Sequence, residues 1–169
     1  MEIRLIQSEE CATLGHITLD AYRQLNGSEP LGPYAEELLD VQTRSFDSEV
    51  YVALDNGGRL MGGVTYVPGP ECAMAEFRDP VACGIRMLAV DPALQGRGAG
   101  RALVEKCVAR AREQGRGRII LHSVPAMTLA QAMYVKMGFA RAPELDEFIH
   151  ESSDRDGEPL HLSAFTMTI

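Results

Sequence analysis

With 169 residues, 46% of them hydrophobic and 24% charged, the chain has the size and composition of one globular domain with its own core. A formal charge of −8 and a pI of about 5.0 argue against nucleic acid as a partner, because neutralising phosphate needs a basic face. No apolar run approaches the roughly 18 residues that cross a bilayer, the N-terminus lacks the apolar stretch of a signal peptide, and Cys11, Cys72, Cys83 and Cys107 match no zinc or redox spacing. These features predict a cytoplasmic protein with no membrane association and with reduced, mostly buried thiols.

In chain order, residues 1–7 read as a strand through Ile3, Leu5 and Ile6. Ser8 is placed to cap a helix, with Glu9 and Glu10 at its favourable positive end, and Leu14, Ile17, Ala21 and Leu25 give that helix an apolar face. Residues 26–33, Asn-Gly-Ser-Glu-Pro-Leu-Gly-Pro, are a turn-rich break, and a second helix is predicted over residues 34–44. Val50, Val52 and Leu54 alternate as a strand does, Asn56-Gly57-Gly58 turns the chain, and residues 60–67 return. Residues 68–81 form a proline-bearing connection longer than the usual hairpin loop. A strand over residues 82–90 stops at Asp91-Pro92, since proline cannot donate to a ladder. A helix over residues 99–113 follows, with Leu103, Val104, Cys107, Val108 and Ala111 on one face. Then come a strand at residues 118–124 and a helix at 128–137, the latter with Thr128 and Gln131 as a capping box and Gly138 at its end. Strands near 147–151 and 160–169 flank a polar loop, residues 152–159.

The chemistry starts where the strand ending Leu88-Ala89-Val90 runs through Asp91-Pro92-Ala93-Leu94-Gln95-Gly96-Arg97-Gly98-Ala99-Gly100-Arg101 into a helix. The first turn of a helix carries unpaired N–H groups and the positive end of its dipole, and glycines let a phosphate come close. A Walker loop needs Gly-Lys-Ser/Thr where Gly100-Arg101-Ala102 stands. A dinucleotide fingerprint needs glycine where Leu103 stands and an acid at the tip of the next strand, which ends His122-Ser123-Val124. The remaining pattern, Gln/Arg-x-x-Gly-x-Gly/Ala, is matched by Gln95, Gly98 and Gly100.

This segment resembles motif A of the GNAT superfamily, the GCN5-related N-acetyltransferases, and Ala132-Met133-Tyr134-Val135-Lys136-Met137-Gly138-Phe139 resembles its motif B. The resemblance implies one α/β domain over residues 1–169, with a mixed, mostly antiparallel sheet flanked by helices. A parallel βαβ unit over residues 82–124 would bind CoA at its centre. It implies acetyl-CoA as acyl donor and an amine as acceptor that attacks the thioester directly, without metal or covalent enzyme intermediate. Leu88, Ala89 and Val90 would meet the pantetheine arm and donate N–H groups to the carbonyl oxygen. Gln95, Gly96, Arg97, Gly98, Ala99, Gly100 and Arg101 would hold the pyrophosphate, and Tyr134 would sit by the thioester sulfur. Where relatives carry Asn before the last helix, this chain has Pro125-Ala126-Met127, which removes a polar contact to the pantetheine arm. The alternative within the same fold is a module that senses acyl-CoA without turnover.

An alkylammonium with a pKa of about 10.4 is neutral in only about one part in a few thousand at neutral pH, so a base is useful. His122, twelve residues before Tyr134, is the candidate, and the other reading of it is a histidine satisfied within the sheet. Glu76 is the second candidate, expected to be solvated. Arg97 in the turn and, less directly, Arg86 and Arg101 could add positive charge. His16, His150 and His161 have no metal-like spacing, and no metal is expected. The acceptor is expected along residues 26–33 and 68–81, where Glu29, Glu71, Glu76 and Asp79 would match a cationic small-molecule or protein amine. Assembly is expected to be monomeric or homodimeric.

Overall fold

The computed structural model describes residues 1–26, 31–153 and 159–169. The strands are β1 (Glu2–Leu5), β2 (Glu49–Leu54), β3 (Leu60–Val67), β4 (Ala82–Val90), β5 (Arg118–Ser123), β6 (Ala140–Arg141), β7 (Glu147–Ser153) and β8 (Pro159–Thr168). The helices are α1 (Cys11–Asn26), α2 (Tyr34–Leu39), α3 (Val41–Arg44), α4 (Ala99–Glu113) and α5 (Thr128–Lys136). The sheet order is β1-β2-β3-β4-β5-β8-β6, with β7 paired to β8. β4 and β5 are the parallel pair, joined by α4, and every other pairing is antiparallel.

Helices cover both faces of the sheet, which is why β2 to β5 read as nearly continuous apolar runs. On one face, Leu103, Val104, Cys107 and Ala111 of α4 pack on Tyr51, Val64, Tyr66, Cys83, Ile85, Ile119 and Leu121, joined by Tyr134, Phe139 and Phe165. Each large aliphatic side chain so buried contributes about 1.5–3 kcal/mol. On the other face, Leu14 of α1 lies on Val50, Val52 and Leu54, while Leu19 and Leu38 lie on Val67 and Met87. α1 and α2 come close because Gly15 has no side chain: a Cβ there would stand 2.6 Å from the Leu39 carbonyl oxygen. All four cysteines are buried and unpaired. Among the described residues no helix is long and apolar enough to cross a membrane.

The structure departs from the sequence reading at several element ends. Ser8 does not cap α1: the first turn, Ser8–Glu10, is 3-10, and the Glu10 carboxylate accepts from the Gln7 N–H at 2.9 Å. Glu10 also takes both Arg4 guanidinium nitrogens at 2.9 and 2.7 Å, so position 10 outcompetes position 8. Leu25 is exposed, and the buried stripe of α1 runs through Leu14, Thr18 and Leu19. The single helix expected over residues 34–44 is two, broken at Asp40 (ψ 67°), whose side chain accepts from the Thr43 N–H to start α3. The Thr128–Gln131 capping box does not form. Gln131 instead donates to the Val124 carbonyl at 3.0 Å, fastening α5 to the end of β5. Residues 27–30 and 154–158 of the two predicted loops lie outside the described residues.

Candidate active site

The glycine turn is held open by its own backbone. Asp91 accepts from the Ala93 N–H at 2.9 Å and starts a 3-10 turn over Pro92–Leu94, and the buried Leu94 anchors it to the core. Gly96 (φ 78°) and Gly98 (φ 85°) then take left-handed conformations that residues with a Cβ resist. Ala102 makes the first intrahelical bond, to the Gly98 carbonyl at 3.0 Å. Among the described residues, none of the backbone N–H groups from Gln95 through Arg101 has a protein acceptor. They sit at the positive end of α4, worth about half an elementary charge. Gly100 lies inward beside Val90, where a Cβ would find no atom nearer than 3.6 Å. Arg97 is exposed and forms no ion pair with a described residue, whereas Arg101 is tied to Glu105 at 2.8 Å and Arg86 to Glu76 at 2.6 Å.

Beside this turn the sheet opens. Parallel pairing of β4 with β5 ends at Ile85 and Leu121. One residue later β4 bulges: Gly63 pairs with Ala89 but Thr65 with Arg86, so Met87 and Leu88 oppose one residue of β3. Met87 carries the distortion at φ 50°, rare for a side chain of this kind. The Asp91 N–H bonds back to Met61 at 2.8 Å. Strand alternation therefore turns the N–H groups of Leu88 and Val90 away from β3, into the split. Sequence reasoning had no sign of this bulge, since methionine is an ordinary strand residue.

His122 and Arg86 are the first residues past the last β4–β5 pair, and Glu76 bridges them. One Glu76 oxygen meets Arg86 Nη2 at 2.6 Å and the other meets His122 Nδ1 at 3.1 Å. On its far side His122 Nε2 donates to the Leu145 carbonyl at 2.9 Å. A carbonyl and a carboxylate are both acceptors, so this geometry calls for a proton on each ring nitrogen. Burial alone would lower the imidazole pKa, but the Glu76 and Leu145 bonds outweigh it and hold it above its ordinary value. Burial alone would raise the Glu76 pKa, but His122 and Arg86 hold it below the ordinary carboxylate range. Glu76, expected to be solvated, is thus largely buried and doubly paired. Asp79 is taken by Arg118 at 2.5 Å, and Glu71 is exposed. His161 is bound to Asp146 at 2.8 Å and His16 lies on the surface. The side chains of Glu29 and His150 lie outside the described residues.

This ion pair has a signature in stability. The raised His122 pKa adds stability below its unfolded value near 6.5, lost as pH rises through the folded value. The lowered Glu76 pKa adds stability above 4.5, lost as pH falls through the folded value. His122→Gln should therefore lower stability by about 1.5–3 kcal/mol in the window between those values, the range for a hydrogen bond to a charged group. Thermal melts of the two proteins from about pH 5.5 to about pH 9 should show the gap closing. A gap that is constant or widens with pH would mean that His122 is not held as an imidazolium.

Tyr134 reaches the split from α5 on the opposite face, packed against Phe139 (5.9 Å between ring centroids) and Phe165 (6.1 Å). Burial, with a smaller effect of Cys107, pushes its hydroxyl well above the ordinary tyrosine value. It stays protonated, and among the described residues the hydroxyl has no hydrogen-bond partner. Through the split lies Tyr22 of α1, in edge contact with Tyr34 of α2 at 5.9 Å. The Tyr22 hydroxyl is likewise raised, first by burial and then by Tyr34 and Tyr134. Neither Tyr22 nor Tyr34 stood out in the sequence, where each read as part of an amphipathic helix.

The acetyltransferase (GNAT) family profile matches residues 18–139. The chain belongs to the GNAT family. A mycothiol acetyltransferase of Cellulomonas flavigena is 36% identical over 98 residues, which are 57% of this chain and 28% of that protein. A mycothiol acetyltransferase of Nocardia farcinica is 40% identical over 58 residues, 34% of this chain and 19% of that one. The chain therefore matches only a minor part of these curated relatives. Among solved structures, a ribosomal-protein-alanine N-acetyltransferase from Brucella melitensis superposes with a TM-score of 0.72 at 21% identity, covering 100% of both chains. An acetyltransferase from Salmonella typhimurium with its cofactor acetyl-CoA gives 0.69 at 18%, covering 99% of this chain and 93% of that one. These two likenesses show the same fold for the described residues, including those outside residues 18–139.

Proposed function

We propose that this GNAT domain transfers an acetyl group from acetyl-CoA to a primary amine. The observation that carries the reading is the unpaired N–H run from Gln95 through Arg101, which opens beside a split lined by two more free backbone donors and Tyr134. The chain offers an anion cradle at the α4 N-terminus for a pyrophosphate, an extended strand edge for the amides of a pantetheine arm, and the Tyr134 hydroxyl for a sulfur. Acetyl-CoA supplies an acyl group activated as a thioester, so that the amine lone pair forms the C–N bond as the C–S bond breaks with its electrons on sulfur.

The residues divide that work. The Leu88 and Val90 N–H groups face the split and are placed to stabilise the carbonyl oxygen. Tyr134 donates its hydrogen to sulfur. Thiol and tyrosine pKa values of about 8.5 and 10 already make full transfer uphill by about 2 kcal/mol, and burial adds to that. The hydroxyl therefore acts first as a hydrogen-bond donor. His122, bonded on both ring nitrogens, acts in this reading by fixing Glu76 and the mouth of the split rather than by taking a proton. A retained, unbonded Tyr134 hydroxyl favours turnover over acyl-CoA sensing. The test is a panel of primary amines with acetyl-CoA, read by thiol release and by the mass of the product. Amine-dependent thiol release with an acetylated product supports transfer; tight acetyl-CoA binding with no release across the panel supports the sensing module.

A further inference from the structure

The described carboxylates around the split leave one unpaired. Glu76 is spent on Arg86 and His122, and Asp146 accepts from both Arg141 nitrogens, from His161 and from the Ala164 N–H. Glu147, the first residue of β7, is half-buried, and its carboxylate makes no hydrogen bond or ion pair with a described residue. Its neighbours fix which way it faces. Asp146 binds His161, and the Phe148 ring stacks on His161 with centroids 4.8 Å apart. Strand alternation then turns Glu147 to the other side, next to Leu145, whose carbonyl holds His122. Glu147 thus joins Glu76, His122 and Arg86 at the mouth of the split.

We propose that Glu147 is the carboxylate that receives the acceptor's ammonium group and takes its proton. The proposal rests on the amine-transfer reading above and adds to it a residue and a charge preference. His122 already carries a proton on each ring nitrogen, one facing Glu76 and one facing the Leu145 carbonyl, and a further proton would have to go onto the Glu76 carboxylate, flanked by two cations. Glu147 has no such cation bonded to it. Its carboxyl is raised above the ordinary value by burial and then by the charge of Glu76, the direction that suits a base working near neutrality. As the N–H bond breaks, the electron pair stays on nitrogen and the proton passes to Glu147 and on to water. The facing Tyr22 and Tyr34 rings would close the site around an alkyl arm. The acceptor class is therefore a protonated primary amine on an uncharged or cationic body, and an acceptor carrying a carboxylate beside its amine would be repelled.

The test uses the full chain with CoA bound, carbon-labelled at its glutamate carboxyls, and titrated with n-butylammonium chloride. The Glu147 carboxyl signal, assigned by its loss in Glu147→Gln, should shift on addition of butylammonium while that of Glu76 stays in place. A shift of Glu76 alone, or of neither, overturns the proposal. Donor binding measured by calorimetry on the same sample keeps the two readings apart: no CoA binding sinks the transfer reading, whatever the carboxyls do. With an amine that turns over, Glu147→Gln should lower kcat/KM for the amine about 100-fold while the KM for acetyl-CoA is unchanged. An equal loss in Glu147→Asp and Glu147→Gln would point to a packing role and also overturn it.

Discussion

Tyr134→Phe is expected to lower kcat by about 10²–10⁴-fold, the usual contribution of a positioned acid–base group, with acetyl-CoA affinity nearly unchanged. The substitution deletes one oxygen. The ring would keep its contacts with Phe139 and Phe165, and no protein hydrogen bond is lost among the described residues. Stability should change little, because the ring packing is kept and no protein hydrogen bond is given up. That combination separates chemistry from packing: a folded, donor-binding protein that turns over slowly. A variant with normal turnover would make Tyr134 a core residue, and the sulfur would then leave by another route.

Gly100→Glu is expected to abolish acetyl-CoA binding, by about 100-fold or more, without unfolding the protein. The backbone at Gly100 has no positive φ, and a Cβ there meets only ordinary contacts with Val90 and Met133. A carboxylate in the first turn of α4 is favourable for the helix, by about 0.3–1 kcal/mol. It would also lie against the N–H groups that the pyrophosphate needs, competing with it and repelling it. Melting temperature and donor affinity should therefore move apart, the first holding or rising and the second collapsing. Gly98→Val is a less clean probe, because φ 85° strains a β-branched residue whatever the ligand does. Retained affinity in Gly100→Glu would take the pyrophosphate away from α4.

How much of this was legible depended on how local the cause was. The glycine turn and α4 could be read because a strand end, a proline stop, glycines and an amphipathic face follow one another within one stretch of chain. The break at Asp40 was missed because an apolar pattern continued across it, while the carboxylate preferred to cap Thr43. The capping box at Thr128 was missed because Gln131 had a better acceptor in Val124, a competition set by how β5 enters α5. The bulge at Met87 is fixed by the register of β3 against β4, which no local pattern encodes. Glu76 read as solvated because its partners are 10 and 46 residues away (separations that only the folded sheet closes). Glu147 read as a strand start, and its significance appears only when the other described carboxylates near the split are found to be paired.

The most direct test of donor binding is amide hydrogen exchange on the wild-type chain with and without acetyl-CoA. The N–H groups from Gln95 through Arg101, and those of Leu88 and Val90, have no protein acceptor among the described residues and should exchange fast in the free protein. Saturating acetyl-CoA should slow both groups, whereas S-acetylpantetheine, which lacks the pyrophosphate, should slow Leu88 and Val90 and leave the α4 turn fast. Acetyl-CoA that binds without protecting the α4 turn, or that protects some other surface, would contradict the placement of the donor in the β4–β5 split.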